Sequence, residues 1–251
     1  MFFICLLVFQ DSAAKQKVVQ MIEACGGRDS FYAMRDVSFT YTYLNTATGA
    51  RDVSEERYIF DGERSYAEFS HTENVLPDLN GKLVQGFDGQ QAWATVNGQL
   101  VDDPKMMGMT MFLRKTNYYW FTMMFKLADP GLIYTDKGVR QVEGIAYDMV
   151  EIGFEQGVGN VQDTYLLYIN PYTHLVDQFL FTVRDFGVET PLLMKVNYVS
   201  IDGLMIPTVR RFVQSDWDGT IQGDSWNLEI TENVKFNQGL NPSMFMAPDT
   251  H

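Results

Sequence analysis

The feature that most constrains this chain is a two-residue alternation of apolar and polar side chains that recurs along its length. In Val37–Tyr43 the odd-numbered positions are apolar or aromatic, and Ser or Thr fills the others; Trp226–Thr231 alternates in the same way. Successive side chains of a strand point to opposite faces, so this period indicates β-strands. Further strands are predicted at 56–60, 64–69, 82–87, 91–96, 145–154, 165–169, 175–184, 192–201 and 206–214.

Turn signals separate many of these stretches. Asn-Gly and Asp-Gly readily adopt the positive φ angles that type I′ hairpin turns require. Five such dipeptides are present: Asp61-Gly62, Asp88-Gly89, Asn97-Gly98, Asp202-Gly203 and Asp218-Gly219. Many antiparallel strands with few helices leave a sandwich or a barrel as the main architectures. Because the sequence has no linker, low-complexity run or charge block, one domain is predicted over residues 15–251.

The N-terminal segment combines an export signal with a helix. The apolar run Met1–Phe9 is followed by Gln10 and Asp11 and then by the small residues Ser12, Ala13 and Ala14, which predicts a signal peptide over residues 1–14. Its basic n-region is missing, so a truncated leader or a buried N-terminal segment are the alternatives. Val18, Ile22 and Cys25 then recur at helical spacing, and the two glycines that follow are expected to end that helix.

Residues 103–127 break the strand pattern. Asp103 can cap a helix there, and six of the chain's 14 methionines fall within the segment. Arg114 and Lys115 in its middle exclude a helix that spans a bilayer. Methionine clusters are more often core, but flexible methionines also line surfaces that adapt to varied apolar shapes. We therefore expect an amphipathic helix that covers an apolar cavity of the sheet as a lid.

The residues predicted to bind the ligand in this cavity and lid are Trp93, Met106, Met107, Met109, Met111, Phe112, Tyr119, Trp120, Phe121 and Met124.

Charge and motif content narrow the function. A formal net charge of -13 disfavours binding to nucleic acid or to an anionic membrane surface. His71, His174 and His251 are scattered without metal-ligand spacing, and no nucleophile elbow occurs. Asp102-Asp103 and Glu55-Glu56 stand near expected helix or strand starts, where capping or solvation accounts for them. The sequence predicts a protein that is not an enzyme, with no catalytic residue, metal site or cofactor.

The order of these elements, together with several motifs, resembles a known group. The motifs are Gly26-Gly27, Val37-Ser38-Phe39-Thr40-Tyr41, Phe125-Lys126-Leu127-Ala128-Asp129-Pro130-Gly131, Tyr147-Asp148-Met149-Val150-Glu151-Ile152 and Tyr168-Ile169-Asn170-Pro171-Tyr172-Thr173-His174-Leu175. In this respect the chain is similar to the LolA/LolB-like superfamily of periplasmic lipoprotein carriers and outer-membrane lipoprotein receptors. The resemblance covers nearly the whole chain after the leader.

The alternation predicts a mainly β fold with about eleven strands. The resemblance implies that this curved antiparallel sheet forms an unclosed barrel, with an N-terminal helix and a lid-like helical segment. It implies a cavity that accepts the acyl chain of a lipid or lipoprotein, with an envelope protein as a further partner. Members hold the lid closed with a single arginine, for which Arg114 is the candidate by position. We expect a monomer that does not span the membrane and that resides in the periplasm or is otherwise exported.

Two other readings remain open from the sequence. The first is a non-catalytic structural or interaction protein of the cell envelope, with a solid core in place of the cavity. The second is a hydrolase that uses the same cavity, with carboxylates contributed by separate strands, because acidic residues far apart in sequence can meet in the fold.

Overall fold

The computed structural model describes residues 2–158, 163–184 and 187–248, and for residues 2–12 it describes the backbone alone. The helices are α1 (Phe2–Ala24), α2 (Arg28–Ala33) and α3 (Pro104–Lys126), with a 3-10 helix at Pro242–Phe245. The strands are β1 (Asp36–Asn45), β2 (Arg51–Ile59), β3 (Arg64–Thr72), β4 (Leu83–Phe87), β5 (Ala92–Val96), β6 (Gln99–Leu100), β7 (Leu132–Val142), β8 (Ile145–Phe154), β9 (Tyr165–Ile169), β10 (Val176–Val183), β11 (Val188–Ile201), β12 (Leu204–Gln214) and β13 (Asn227–Phe236).

The chain divides into two compact units, each built from two stretches of sequence. The α1 unit comprises Met1–Arg28 and Met124–Trp226, and the α3 unit comprises Asp29–Met123 and Asn227–His251. Most of α3 therefore belongs to the unit named after it, and its last three residues belong to the other. The predicted single domain over residues 15–251 stays a prediction.

In the α3 unit the strands follow the order β6-β5-β4-β3-β2-β1-β13, and all neighbours are antiparallel. Strand β1 lies between β2 and the last strand of the chain, so that Tyr43 is opposite Asp52 on one side and Glu229 on the other. The carboxylate of Asp36, at the start of β1, accepts hydrogen bonds from the backbone N–H groups of residues 238–240. These bonds fix the C-terminal segment beside the first strand.

In the α1 unit the strands form an antiparallel meander in the order β12-β11-β10-β9-β8-β7. Helix α1 packs against β7 and β8. Its Lys17 ammonium group lies 3.0 Å from an oxygen of Asp136 on β7 and 2.8 Å from an oxygen of Asp148 on β8. One cation therefore ties the helix to two neighbouring strands.

The prediction of a mainly β, antiparallel and unclosed sheet is confirmed. Among the described residues β6 and β7 each pair with one strand only, and thirteen strands are present where about eleven were predicted. The alternation that would have identified β7 is interrupted by an irregularity between Asp136 and Val139, where Gly138 adopts a positive φ. An extra residue in one strand shifts later side chains to the other face, which hides the strand from a period-two search.

The turn predictions are confirmed where the loop has two residues. Asn97-Gly98 and Asp202-Gly203 have positive φ at both positions, as type I′ turns require. Asp61-Gly62 instead lies in a longer loop, in which Gly62 and Glu63 have positive φ. The turn at Glu143-Gly144 also has positive φ at both residues and was not predicted.

The predicted end of α1 is confirmed. Gly26 and Gly27 have φ of 107° and 86°, and the N–H of Gly27 donates to the carbonyl of Ile22. Val18, Ile22 and Cys25 are buried together on one face of the helix. The predicted signal peptide, residues 1–14, lies almost entirely outside the described side chains and stays a prediction.

Candidate functional site

One face of the α3-unit sheet carries the candidate site. This inner face is defined by Phe39 on β1, Glu56 on β2, Phe69 on β3 and Ala94 on β5, all of which are buried. Side chains two residues apart along a strand share a face, so Ser54 and Tyr58, also buried, extend it along β2. The inner face is thus mostly apolar and aromatic, with buried polar side chains along β2, at Ser65 on β3 and at Gln85 on β4.

Helix α3 packs on the inner face through aromatic rings. Phe121 stacks on Phe39 with ring centroids 4.6 Å apart and an interplanar angle of 12°. Tyr58 contacts Phe121 at 5.9 Å and Tyr118 at 5.3 Å between centroids. Rings in offset-stacked or edge-to-face arrangements contribute beyond the area they bury, so this part of α3 is firmly attached.

A buried ion pair joins the same helix to the sheet one to two turns earlier. Arg114 Nη1 donates to Glu56 Oε2 at 2.6 Å, and Nη2 donates to Oε1 at 3.0 Å. Both side chains have 0% exposed area. The guanidinium also lies over the ring of Phe69, 5.8 Å from its centroid. A bidentate pair of this kind fixes both the position and the rotation of the helix.

Polar neighbours satisfy the remaining groups of the pair. Ser54, Tyr58 and Asn117 all donate to the Glu56 carboxylate, at 2.8, 3.0 and 3.3 Å. Gln85 on β4 accepts from Arg114 Nε at 3.2 Å, and its own amide donates to Thr110 Oγ1 at 3.1 Å. These polar contacts involve two strands, β2 and β4, and about two turns of α3, and they compensate for removing the two charges from water.

The surroundings raise the pKa values of both Arg114 and Tyr58. Burial by itself lowers the pKa of Arg114, but the adjacent Glu56 carboxylate outweighs this and the pKa lies above its ordinary value. Burial, reinforced by the negative charge of Glu56, raises the pKa of Tyr58 well above its ordinary value. Tyr58 therefore remains a protonated donor to the carboxylate.

The first turns of α3 are attached differently. Met107 packs on an apolar cluster of Ala67, Phe69, Leu83 and Ala94. Half-buried Leu76, Leu79, Val96 and Val101 cover the same cluster. Asp103 accepts a hydrogen bond from the N–H of Met106 at 2.8 Å, which confirms the predicted cap. Half-buried side chains along the helix also include Met106, Met109, Met111, Phe112, Tyr119 and Trp120.

Two predicted ligand residues are placed differently from the rest. Met124 is buried near the end of α3, in the part of that helix that belongs to the α1 unit. Trp93 precedes Ala94, so its side chain lies on the face opposite the inner face. There its indole N–H donates to the carbonyl of Phe245 at 2.8 Å, and its ring fills the space that Gly86 leaves by lacking a Cβ. The structure does not bring Trp93 together with the residues that contact α3.

Sequence reasoning missed Glu56. The expectation that solvation accounts for Glu55-Glu56 holds for exposed Glu55 and is wrong for Glu56, which is buried in the middle of β2. Two signals were available. Glu56 lies two residues before Tyr58, so the two side chains share one face of the strand. An arginine within an apolar helix also needs a carboxylate partner.

Within the part of the chain that the structure describes, none of the helices has the length and apolar character needed to cross a bilayer. Across that same part, His, Cys, Asp and Glu side chains form no group able to hold a metal ion.

No protein-family model matches the chain, and no curated protein matches it. Solved structures do. A DUF1329 family protein from Desulfovibrio piger superposes with a TM-score of 0.56 at 13% identity, covering 94% of this chain and 97% of that one. A LolA superfamily protein from Nitrosomonas europaea gives a TM-score of 0.53 at 11% identity, covering 91% and 96%.

A putative outer membrane lipoprotein-sorting protein domain from Vibrio parahaemolyticus gives a TM-score of 0.51 at 9% identity, covering 91% of this chain and 97% of that one. Because fold is retained while sites diverge, likeness at such identities establishes the fold. The predicted LolA-like resemblance is confirmed at that level, over nearly the whole chain.

Proposed function

We propose that this chain, which has a LolA-like fold, binds the acyl chain of a lipid or lipoprotein against the inner face and acts as a periplasmic carrier or envelope factor. The ligand sits beneath α3, which serves as its cover. No catalytic step is involved, and the carrier functions without a cofactor.

The observation that carries the proposal is the position of α3. A helix rich in methionine and aromatic residues lies on the apolar face of an open antiparallel sheet, in the α3 unit. Methionine side chains adapt to variable apolar shapes, as a carrier of flexible chains requires. Each buried methylene contributes about 0.8 kcal/mol, so one long acyl chain supplies enough free energy without any positioned charge.

The neighbouring structures support the same class of function. One of them is named as an outer membrane lipoprotein-sorting protein domain and another as a LolA superfamily protein. The first of these names describes lipoprotein sorting, and neither names a reaction. A carrier of this type works in the periplasm, which agrees with the export signal predicted from residues 1–14.

Within this proposal Arg114 keeps the cover closed. Its bidentate contact with Glu56 is intact in the structure, and so are the bonds from Ser54, Tyr58 and Asn117 to the same carboxylate. Leaving either charge buried without its partner costs about 3–5 kcal/mol. The helix therefore stays in place over this region unless a ligand compensates for the loss.

Two measurements test binding directly. Protein purified from cells is extracted with organic solvent and analysed by mass spectrometry, and the delipidated protein is titrated with 11-(dansylamino)undecanoic acid while dansyl emission is recorded. We expect co-purifying acyl species and saturable enhancement of emission. A protein that carries no lipid and leaves the dansyl emission unchanged would contradict the proposal.

A matched pair of tryptophan variants locates the site. Trp120→Asp places a charge at a half-buried position of α3. Trp217→Asp makes the same change at an exposed position in a loop of the α1 unit. We expect at least a tenfold weaker dansyl affinity for Trp120→Asp and no change for Trp217→Asp, with both variants folded by circular dichroism. Equal affinities would place the ligand away from α3.

A second candidate function has its own support. The stacked Phe39 and Phe121 and the buried Arg114–Glu56 pair are also what a solid core would contain. The protein would then be a structural or interaction module of the envelope, with α3 as permanent core. In that case Trp120→Asp would unfold the α3 unit, and no acyl species would co-purify.

A further inference from the structure

Helix α3 is attached to the inner face unevenly along its length. From Thr110 onward every turn has a fully buried contact: Thr110 with Gln85, Arg114 with Glu56, and later Phe121 on Phe39. Before Thr110 no residue of the helix is fully buried, and Pro104, Lys105 and Gly108 are exposed. The bonds that hold the helix therefore begin at its third turn.

A second loosely packed segment lies against the same area. The β3–β4 loop, residues 73–82, contributes Leu76 and Leu79 to the cover of the cluster on which Met107 also packs. Both leucines are half-buried. The loop is tied at its first residues to Asp52 and at its end to Asn97, while Leu79 bonds only within the loop, to the carbonyl of Leu76.

We infer that these two segments form the entrance for the ligand: the first two turns of α3, Pro104–Met109, unwind and part from the β3–β4 loop, while the helix from Thr110 onward remains fixed by Arg114. This inference rests on the proposed function. It divides the predicted lid into a short moving gate and a longer fixed part. Segments with few buried contacts open locally at a small fraction of the free energy of global unfolding.

The floor beneath the gate indicates what enters. It consists of Ala67, Leu83 and Ala94 with the ring of Phe69 at one side, and these four residues carry no charge and no hydrogen-bonding side chain. Ala67 and Ala94 lie on either side of Gln85, whose amide is held by Thr110 and Arg114 of the fixed part of α3. The small alanines leave a narrow apolar strip beside Leu83 once Met107 and Leu79 withdraw. Such a strip fits an unbranched hydrocarbon chain, which needs no polar partner along its length.

Two positions allow the gate to be stiffened or loosened without touching the floor. Gly108 has ordinary helical φ, and an added Cβ there would meet no atom within 4 Å. Because alanine favours a helix more than glycine, Gly108→Ala stabilises the wound form by a factor of about five. Asp103 supplies the cap through Met106, and Asp103→Ala destabilises the wound form by a similar factor of about five.

Stopped-flow uptake of 11-(dansylamino)undecanoic acid tests the gate. If entry waits for unwinding, Gly108→Ala should take up the probe about fivefold more slowly and Asp103→Ala about fivefold faster than the unsubstituted protein. Gly153→Ala is the matched control, because an added Cβ on β8 also meets no atom within 4 Å, and its uptake should be unchanged. Uptake rates that are equal in all four proteins overturn the inference.

Hydrogen exchange of the ligand-free protein gives a second, independent answer. Amides of residues 108 and 109 should exchange at least tenfold faster than those of residues 114–121. Gly108→Ala should reduce this ratio of exchange rates. Uniform protection along α3 overturns the gate even when the probe binds. If the probe does not bind at all, the proposed function fails, and fast exchange confined to the first turns still supports a mobile gate.

Discussion

Helices α1 and α3 each have 23 residues, and each brings a cation to carboxylates on the strands it covers. In α1 the cation is Lys17, whose side chain is 25% exposed, and its partners Asp136 and Asp148 are 20% and 31% exposed. In α3 the cation is Arg114, and neither it nor Glu56 has any exposed area. The same type of contact is therefore partly exposed to water in one unit and fully buried in the other.

The difference teaches that burial decides what a charge pair contributes. A solvated pair gains little, because water competes for both partners and salt screens them. A buried pair also gains little overall, but it penalises the loss of one partner severely. The Arg114–Glu56 pair therefore strongly favours one position of α3 on its strands. The contacts of Lys17 favour the observed position of α1 only modestly.

The largest expected effect tests the buried pair. Arg114→Met leaves the Glu56 carboxylate buried without its counter-ion, and we expect the free energy of unfolding to fall by about 3–5 kcal/mol. Urea unfolding followed by circular dichroism measures the change. A loss below about 1 kcal/mol would mean that water reaches Glu56 and that the pair behaves like a surface contact.

The double variant Arg114→Met/Glu56→Leu sharpens this result. With both charges removed, no unpaired ion remains, so the double variant should be more stable than Arg114→Met alone. Ser54 and Tyr58 lose their acceptor, and this keeps the variant below the unsubstituted protein. A double variant less stable than the single one would contradict the account.

The next prediction compares a glycine at the end of α1 with a glycine inside α3. Gly26, at the end of α1, has φ of 107°, and an added Cβ would lie 2.7 Å from the carbonyl oxygen of Gly203. We expect Gly26→Ala to destabilise the protein by about 1–3 kcal/mol, measured as a shift of the urea midpoint. Gly108→Ala in α3 is the control and should be neutral or slightly stabilising.

A smaller effect is expected at the solvated pair. Lys17→Met removes both contacts to β7 and β8, yet the side chains involved remain partly in water. We expect a loss of about 0.2–1 kcal/mol, which should shrink further in 1 M salt. If Lys17→Met costs as much as Arg114→Met, the contrast between the two helices is wrong.

The smallest effect is a dependence on pH. Partial burial raises the pKa of Asp136, but the N–H of Gly138 and the ammonium of Lys17 outweigh it, and the pKa lies below the ordinary 3.8. A lowered pKa means that the carboxylate stabilises the fold above about pH 4 and that this contribution is lost as pH falls through the folded-state value. Asp136→Asn should therefore weaken the acid dependence of unfolding below pH 4, and an unchanged dependence would contradict the assignment.

Local patterns made most of the fold predictable. The alternation in Val37–Tyr43, the I′ turn at Asn97-Gly98 and the glycine end of α1 each depend on a few neighbouring residues, and each was confirmed. Strand β7 was missed because its irregularity breaks the period. What the sequence could not give was the pairing of Arg114 with Glu56, because residues far apart in the chain meet only through the strand order.

The candidate site was predictable in part for the same reason. Spacing along one helix identified α3, its cap and its methionines, and these are local properties. The face on which Trp93 lies depends on strand register, and Gly86 opposite it was the available signal, because a glycine in a strand often marks space taken by a large neighbour.

The pairing of β1 with β13 has a consequence for biosynthesis. Strand β1 of the α3 unit hydrogen-bonds with β13, and the Asp36 carboxylate accepts hydrogen bonds from the backbone N–H groups of residues 238–240, which follow β13. While the ribosome is still adding residues, one edge of β1 has no partner, and an unpaired edge invites pairing with other chains. The nascent polypeptide must therefore be kept from aggregating until residues 227–240 have emerged, a task that falls to chaperones.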